Sequence, residues 1–593
     1  MSSHPDLFLS RAEWESLSDK LKDPFFKKLH ENNLEALHLL ELEKRGKIDE
    51  VPVWLGQGMS GRCTTIPERV LKKRVVRAIP AWYITKDERY LRIAWESIAA
   101  ACASPEWRPK PANGLRGLNL PASELLYTVA FGFDALHPFL TDAQKALCLE
   151  TLRDVGLPAY LKGLELKDWW ENCDFNWGAA LHGNAGLAAL AIRYEAPELA
   201  AHVLREVKPR LQTVINSYYP DGGYTEGVMY MAGCIEWLTD FAIALLHLYG
   251  DDLGLLTNKD FHDTIHSRLY LQGGDGRPYN FSDIDASTNE WGLSHIFWWA
   301  DKLKRPEWAL FEQEHLRNWR DAHGCAYDVE CFWLRAPFQP VAPYETSGVR
   351  HFTGIDWMTW KGEKSWFAFR SGFNGGNHNN KDLGHFILGY GTERFLVDPG
   401  YGAAATDQHN AVTIRGQQQT DAATARIVKM ESRERGFQLV CDLTSAFPHA
   451  LQHFRRHVLL LNDKHLLVLD DIRGRGPRPQ SAELRTSAGW HLQTRLPWRQ
   501  EGNDLILQGV QSRLKIVFLS EIGFLQSADW EKDGPVTTLT WRHSYDRNHD
   551  IHPMLLTFGE PRLSYQWRGN DLDFEIDGQR WSFNAERGEL SGS

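Results

Sequence analysis

The strongest constraint on how this chain folds is a single change in apolar period part-way along it. From the start to about residue 335, apolar residues recur three or four apart. LKKRVVRAIPAWYITKDERYLRIAWESIAAACA, ASELLYTVAFGFDALHPFL, TDAQKALCLETLRDVGLPAYL and CIEWLTDFAIALLHLYG all carry the spacing of a helix face. Thr141-Asp142 before one run and Gly250 after another are cap residues where caps belong. Beyond Pro337, Pro340 and Pro343 the runs become short and strand-like: HFILGYG, RFLVDPG, AVTIRG, RIVKME, FQLVCDL, LKIVFLS and TTLTWRH. HVLLL and HLLVLDD, flanking Asn462-Asp463-Lys464, predict a tight hairpin. The expected fold is multidomain α + all-β. An N-terminal incomplete α/α toroid, or another helical array, fills 1–340, and a C-terminal antiparallel β-sandwich fills 341–593. No fixed-period repeat supports a uniform solenoid.

A length of 593 residues exceeds what one hydrophobic core usually serves, which agrees with two units. Hydrophobic residues at 43% and charged residues at 24% are an ordinary globular mix and exclude disordered or collagen-like chains. A net charge of −11 lacks the basic field a nucleic-acid binder needs, so no nucleic-acid partner is expected. Cys63, Cys102, Cys148, Cys173, Cys234, Cys325, Cys331 and Cys441 are scattered without C-x-x-C spacing, which fits free thiols in a reducing compartment. The start, MSSHPDLFLSRAEWESLSDK, has no basic stretch leading into an apolar one. No run reaches about 18 uninterrupted apolar residues. The expectation is a cytoplasmic protein with no membrane partner, or a periplasmic one if a leader has been trimmed. The sequence does not define an oligomeric state.

Phosphate-loop, dinucleotide, zinc-protease and G-x-S-x-G motifs are absent. Three polar segments remain as candidate sites. In WWENCDFNWGAALHGNAGLAALAI, Asn176 and Asn184 lie about 80° apart on a helix and share a side, with His182 turned away. They are either cap and core amides or amides for a substrate carboxylate. Trp169, Trp170 and Trp177 are either core or a platform for sugar rings. In SYYPDGGYTEGVMYMAG, Glu226 and Tyr230 are expected four apart on the helix after a Pro220-Asp221-Gly222-Gly223 turn. Tyr230 is either a core phenol or a proton donor. In FNGGNHNNKDLGHFILGYGTERFLVDPGYGAAATDQHN, the loop Asn377-His378-Asn379-Asn380-Lys381 precedes a strand, and His378, Asp398 and His409 are able to meet at one sheet edge.

In this order the three segments resemble the heparinase II/III-like polysaccharide lyases. FNWGAALHGNAGLAALAI is similar to that family's N-N-W-N helix entrance, Asp221, Gly222, Glu226, Gly227 and Tyr230 to D-G-x-x-x-E-G-x-x-Y, and HNNKDLGHFIL, VDPG and HNAVTIRG to H-N-H-N-D-x-G-x-F-x-L, D-P-G and H-N-x-x-x-x-x-G. The resemblance implies β-elimination beside a uronic acid. Asn176 would neutralise the sugar carboxylate, Tyr230 would protonate the leaving oxygen and is also a candidate for taking the ring proton, and His378 would act as base or assist it. Trp177, His182, Glu226, Asn377, Asn379, Lys381 and Arg370 are expected around the substrate, an acidic oligosaccharide or polysaccharide. Arg350, Arg370 and Lys381 are a candidate basic patch, and Lys381 is expected to keep a neighbouring His378 neutral. The family's structural zinc would fall to Asp398 and His409, but Asn380 stands where its second histidine is usual. An amide is a poorer zinc ligand, so the expectation is no tight site or a weak one completed by water or His385. No cofactor is required, and a structural zinc or calcium ion is left open. Two alternatives remain: a glycoside hydrolase using carboxylates among Asp174, Asp221 and Glu226, or a glycan-binding protein without chemistry.

Overall fold

The computed structural model describes residues 4–44, 67–107, 117–284, 293–323, 341–475, 486–520, 523–532, 534–544 and 549–592. Pro337, Pro340, Cys63, Cys325 and Cys331 lie outside them. The chain divides into two compact units, and they are not simply consecutive. A helical unit takes Met1–Tyr218, Met229–Ile265 and Asn289–Tyr344, whereas Tyr219–Val228 and His266–Thr288 belong with Glu345–Ser593 in a sheet unit.

In the helical unit, the first long apolar run is two helices, Pro67–Thr85 and Glu88–Cys102. Lys86 turns left-handed between them at φ 58°, and the Asp87 carboxylate caps the second helix by accepting from Arg89 N at 2.9 Å. The helix Leu120–Leu136 is buried on nearly every side and opens on Asn119, whose amide oxygen accepts from Ala122 N at 2.8 Å. The helix Asn176–Ala191 is just as deeply set. Its small residues explain how: a Cβ on Gly186 would lie 2.4 Å from the Phe241 ring, and one on Gly183 would lie 3.0 Å from the Trp237 carbonyl. The Gly/Ala pattern therefore lets the helix Val228–Tyr249 approach at backbone distance. That helix is long and apolar enough to cross a bilayer, but 78% of the qualifying window is buried inside the protein, as in a core helix.

The sheet unit contains, among the described residues, a five-stranded sheet, a nine-stranded sheet and two four-stranded sheets, all with antiparallel pairing. Strands Leu451–Leu461 and His465–Gly474 form the expected hairpin. Asn462 and Asp463 are both left-handed, at φ 55° and 57°, and Lys464 N donates to Leu461 O at 3.2 Å, which closes the turn. Val458 and Leu460 enter one apolar core with Phe367, Phe369 and Leu388, while Leu459 and Leu461 enter a second core with Leu572, Phe574 and Phe583 of the C-terminal four-stranded sheet. Both faces of this strand are buried. This is why HVLLL reads as a continuous apolar run rather than an alternating one.

Candidate active site

In the helical unit, Asn176 is the first residue of its helix and is buried. Tyr230 sits half-buried in the first turn of Val228–Tyr249. Trp169 is 46% exposed and lies 4.7 Å from Trp177 and 6.1 Å from Phe175, ring centre to ring centre. These three rings make an aromatic surface beside Asn176, whereas Trp170 is wholly buried and stacks on Tyr160. His182 does not face a ligand: it is fully buried, its Nδ1 lies 2.8 Å from the Tyr160 hydroxyl, and burial lowers its pKa to about 3. The reason is the tight packing of its helix, which leaves that side no solvent.

Glu226 and Tyr230 do not share a helix face. The helix begins at Val228, and Gly227 breaks the register at φ 83°, where a Cβ would lie 2.7 Å from Phe281 O. Glu226 instead belongs to the sheet unit, where it is buried and accepts from Asn377 Nδ2 at 2.6 Å and Tyr224 OH at 3.2 Å. Asp221 is held by the turn it anchors, accepting from Gly223 N at 3.0 Å, Thr353 Oγ1 at 3.0 Å and Gly354 N at 2.8 Å. His378 is half-buried and left-handed at φ 59°. Its Nδ1 lies 3.2 Å from Asp283 Oδ2, and its Nε2 lies 3.8 Å from Glu226 Oε1. Asn379 Nδ2 donates to Phe373 O at 3.2 Å and so closes the loop.

The basic patch is not present as expected. Arg370 is buried with Nη1 2.7 Å from Asp382 Oδ1, and burial lowers its pKa against the opposing pull of Asp382 and Asp398. It is therefore a core ion pair rather than a substrate contact. Arg350 donates to Asp221 O at 2.9 Å, and Lys381 Nζ pairs with Asp421 at 3.2 Å.

His385, Asp398 and His409 are fully buried, and one ligand atom from each falls within 4.8 Å of the others. Asp398 Oδ2 lies 3.2 Å from His385 Nε2 and 3.3 Å from His409 Nδ1. These separations match the edge of a tetrahedral shell with ligands about 2.0–2.1 Å from zinc. None of the three atoms has an aligned hydrogen bond. His409 is oriented by its Nε2, 2.8 Å from Ala403 O, and Asp398 Oδ1 accepts from Gly400 N at 2.9 Å. His385 thus takes the place that Asn380 vacates, and the donor set fits zinc. His385 is the weaker member. Its Nδ1 already accepts from Asn410 N at 2.9 Å, so the proton of the neutral ring sits on Nε2 and a metal ion must displace it.

Residues 345–544 match the family model Heparinase II/III-like, C-terminal. This region is a heparinase II/III-like C-terminal domain. His378, Asp398 and His409 fall within it. The chain is similar in fold to a mutant heparan sulfate lyase of Pedobacter heparinus, at 14% identity and TM-score 0.59, over 88% of this chain and 82% of that one. It is also similar to a Streptomyces coelicolor A3 chondroitin AC lyase in complex with chondroitin sulphate, at 11% identity and TM-score 0.56, over 96% and 87%. A third relative in fold is a Paenibacillus xanthan lyase, at 10% identity and TM-score 0.56, over 89% of this chain and 58% of that one. No curated protein sequence matches the chain. The helical N-terminal region followed by antiparallel sheets, expected from the sequence, is the architecture of these lyases.

Sequence reasoning missed Asp283. It lies 95 positions from His378 in a segment without a recognisable motif. Only its three carboxylates and amides within the run NFSDID hinted at a polar turn.

Proposed function

We propose that the chain is a polysaccharide lyase that cleaves an acidic, uronate-containing glycan by β-elimination and leaves a 4,5-unsaturated uronate at the new end. Three services are needed. The Asn176 amide hydrogen-bonds the sugar carboxylate and makes the ring proton alpha to it more acidic. His378 Nε2 takes that proton or assists its removal. The electron pair left behind forms the ring double bond as the bond to the bridging oxygen breaks, and that oxygen takes a proton from the Tyr230 hydroxyl. Whether Tyr230 or His378 is the base follows from which face of the sugar carries the proton. Trp177 with Trp169 offers a stacking surface for a sugar ring, and Asn377 and Asn379 shape the loop that carries His378.

The observation that carries this reading is His378: a partly exposed imidazole held left-handed in an amide-rich loop of the heparinase II/III-like domain, with one ring nitrogen engaged by a carboxylate. The hydrolase alternative is weakened because Asp221 and Glu226 are both occupied by donors of the sheet unit. Where zinc binds, Asp398, His409 and His385 would hold it and it would supply rigidity beneath the His378 loop. No chemical step passes through it. Mass spectrometry of the products tests the reaction type: elimination gives one fragment lacking a water relative to hydrolysis, and products with the full complement of water would overturn the lyase reading.

A further inference from the structure

We propose that Asp283 is the positioning residue that fixes the working tautomer of His378. The inference rests on the reading of His378 as a proton-transfer group. Asp283 grips His378 twice. Its backbone N–H donates to His378 O at 3.1 Å, and its carboxylate Oδ2 lies 3.2 Å from the ring Nδ1. The other carboxylate oxygen accepts from Gly402 N at 3.1 Å, which fixes the direction in which the group points.

An ionised carboxylate only accepts hydrogen bonds, so the Nδ1 facing Asp283 carries the proton of the neutral ring. The lone pair then resides on Nε2, the nitrogen on the side of buried Glu226. When Nε2 takes a proton, the Nδ1–H stays directed at Asp283, so the ring keeps its orientation through the transfer. The left-handed backbone at His378 is tied down by the same residue that sets its tautomer.

Asp283→Asn separates this role from simple packing. The Gly402 N–H still needs an acceptor, so the asparagine carbonyl turns to it and the amide NH2 turns to His378. That NH2 donates to Nδ1 and moves the ring proton onto Nε2, the tautomer that cannot act as base. On a glycan that wild type cleaves, kcat should fall about 10²–10³-fold with KM within about threefold. Independently of activity, carbethoxylation of His378 by diethyl pyrocarbonate, followed by peptide mass spectrometry, should slow by about an order of magnitude. Thermal melting should stay close to wild type, and Asp283→Ala should retain more activity than Asp283→Asn because it imposes no tautomer. Unchanged carbethoxylation in Asp283→Asn overturns the proposal whether or not the chain is a lyase. Slowed carbethoxylation with unchanged kcat overturns the catalytic part. If wild type cleaves no glycan, the lyase reading falls with that part, and the carbethoxylation rates still decide whether Asp283 controls the ring.

Discussion

Removing Arg456 should unfold the sheet unit far more readily than removing Arg456 and its partner together. Arg456 and Asp470 are buried on adjacent strands, 2% and 0% exposed, and form a two-pronged pair, Nε to Oδ1 at 2.8 Å and Nη2 to Oδ2 at 2.7 Å. Trp490 Nε1 donates to the same carboxylate at 2.7 Å. Arg456 Nη1 reaches Gly384 O at 2.6 Å and Asn410 O at 3.3 Å. Arg456→Met leaves a buried carboxylate with the indole as its remaining close donor, a situation that costs about 3–5 kcal/mol. The two freed carbonyls add about 1 kcal/mol each. A unit stable by about 5–15 kcal/mol loses a large part of its margin. Arg456→Met with Asp470→Leu removes both charges and should cost less than the sum of the single changes by about 2–3 kcal/mol. Hydrogen exchange in strands Leu451–Leu461 and His465–Gly474 across a urea series reads the opening of this unit directly. Arg456→Met within about 1 kcal/mol of wild type, or a double variant costing the full sum, would refute the argument. Because Gly384 and Asn410 adjoin His385 and His409, the single variant should also lower zinc uptake.

Burial pushes the pKa of His457 and of His491 down to about 4, and both are nearly inaccessible, so the sheet unit holds them neutral. Their contribution is complete above the unfolded value of about 6.5 and is lost progressively as pH falls from there to the folded value of about 4, about 2 kcal/mol of it each by pH 5. Urea midpoints at pH 7 and pH 5 should therefore differ clearly, and equal midpoints would contradict this. Dialysis against zinc should load about one equivalent on wild type and none on Asp398→Asn or His409→Ala, whereas equal uptake by all three would remove the site. Trp169→Ala should raise KM about three- to tenfold and leave kcat unchanged, as loss of a stacking surface does; a fall in kcat alone would place Trp169 elsewhere in the mechanism.

What the sequence revealed and what it concealed divide along physical lines. Local periodicity carried the two-part architecture, and the cap at Thr141 and the turn at Asn462-Asp463 were visible because both depend on neighbours within a few positions. His378 stood out as one polar residue in a dense polar loop. Burial and distant pairing were not legible. Arg370 looked like a surface cation because nothing nearby announces that Asp382 meets it in the core, and His182 looked like a ligand because helix angles do not say which side is filled. Glu226 and Tyr230 misled because four-residue spacing assumes a continuous helix, and Gly227 at φ 83° ends that assumption. His385 and Asp283 gain their meaning only from partners 13 and 95 positions away.

The most direct test of the account follows ultraviolet absorbance of the conjugated unsaturated uronate, alongside new reducing ends, across a panel of uronate-containing glycans with wild type, Tyr230→Phe and His378→Ala. The account predicts that both readouts rise together on at least one glycan with wild type and that both collapse in either variant. Reducing ends that appear without absorbance, or absorbance that survives both substitutions, would contradict it.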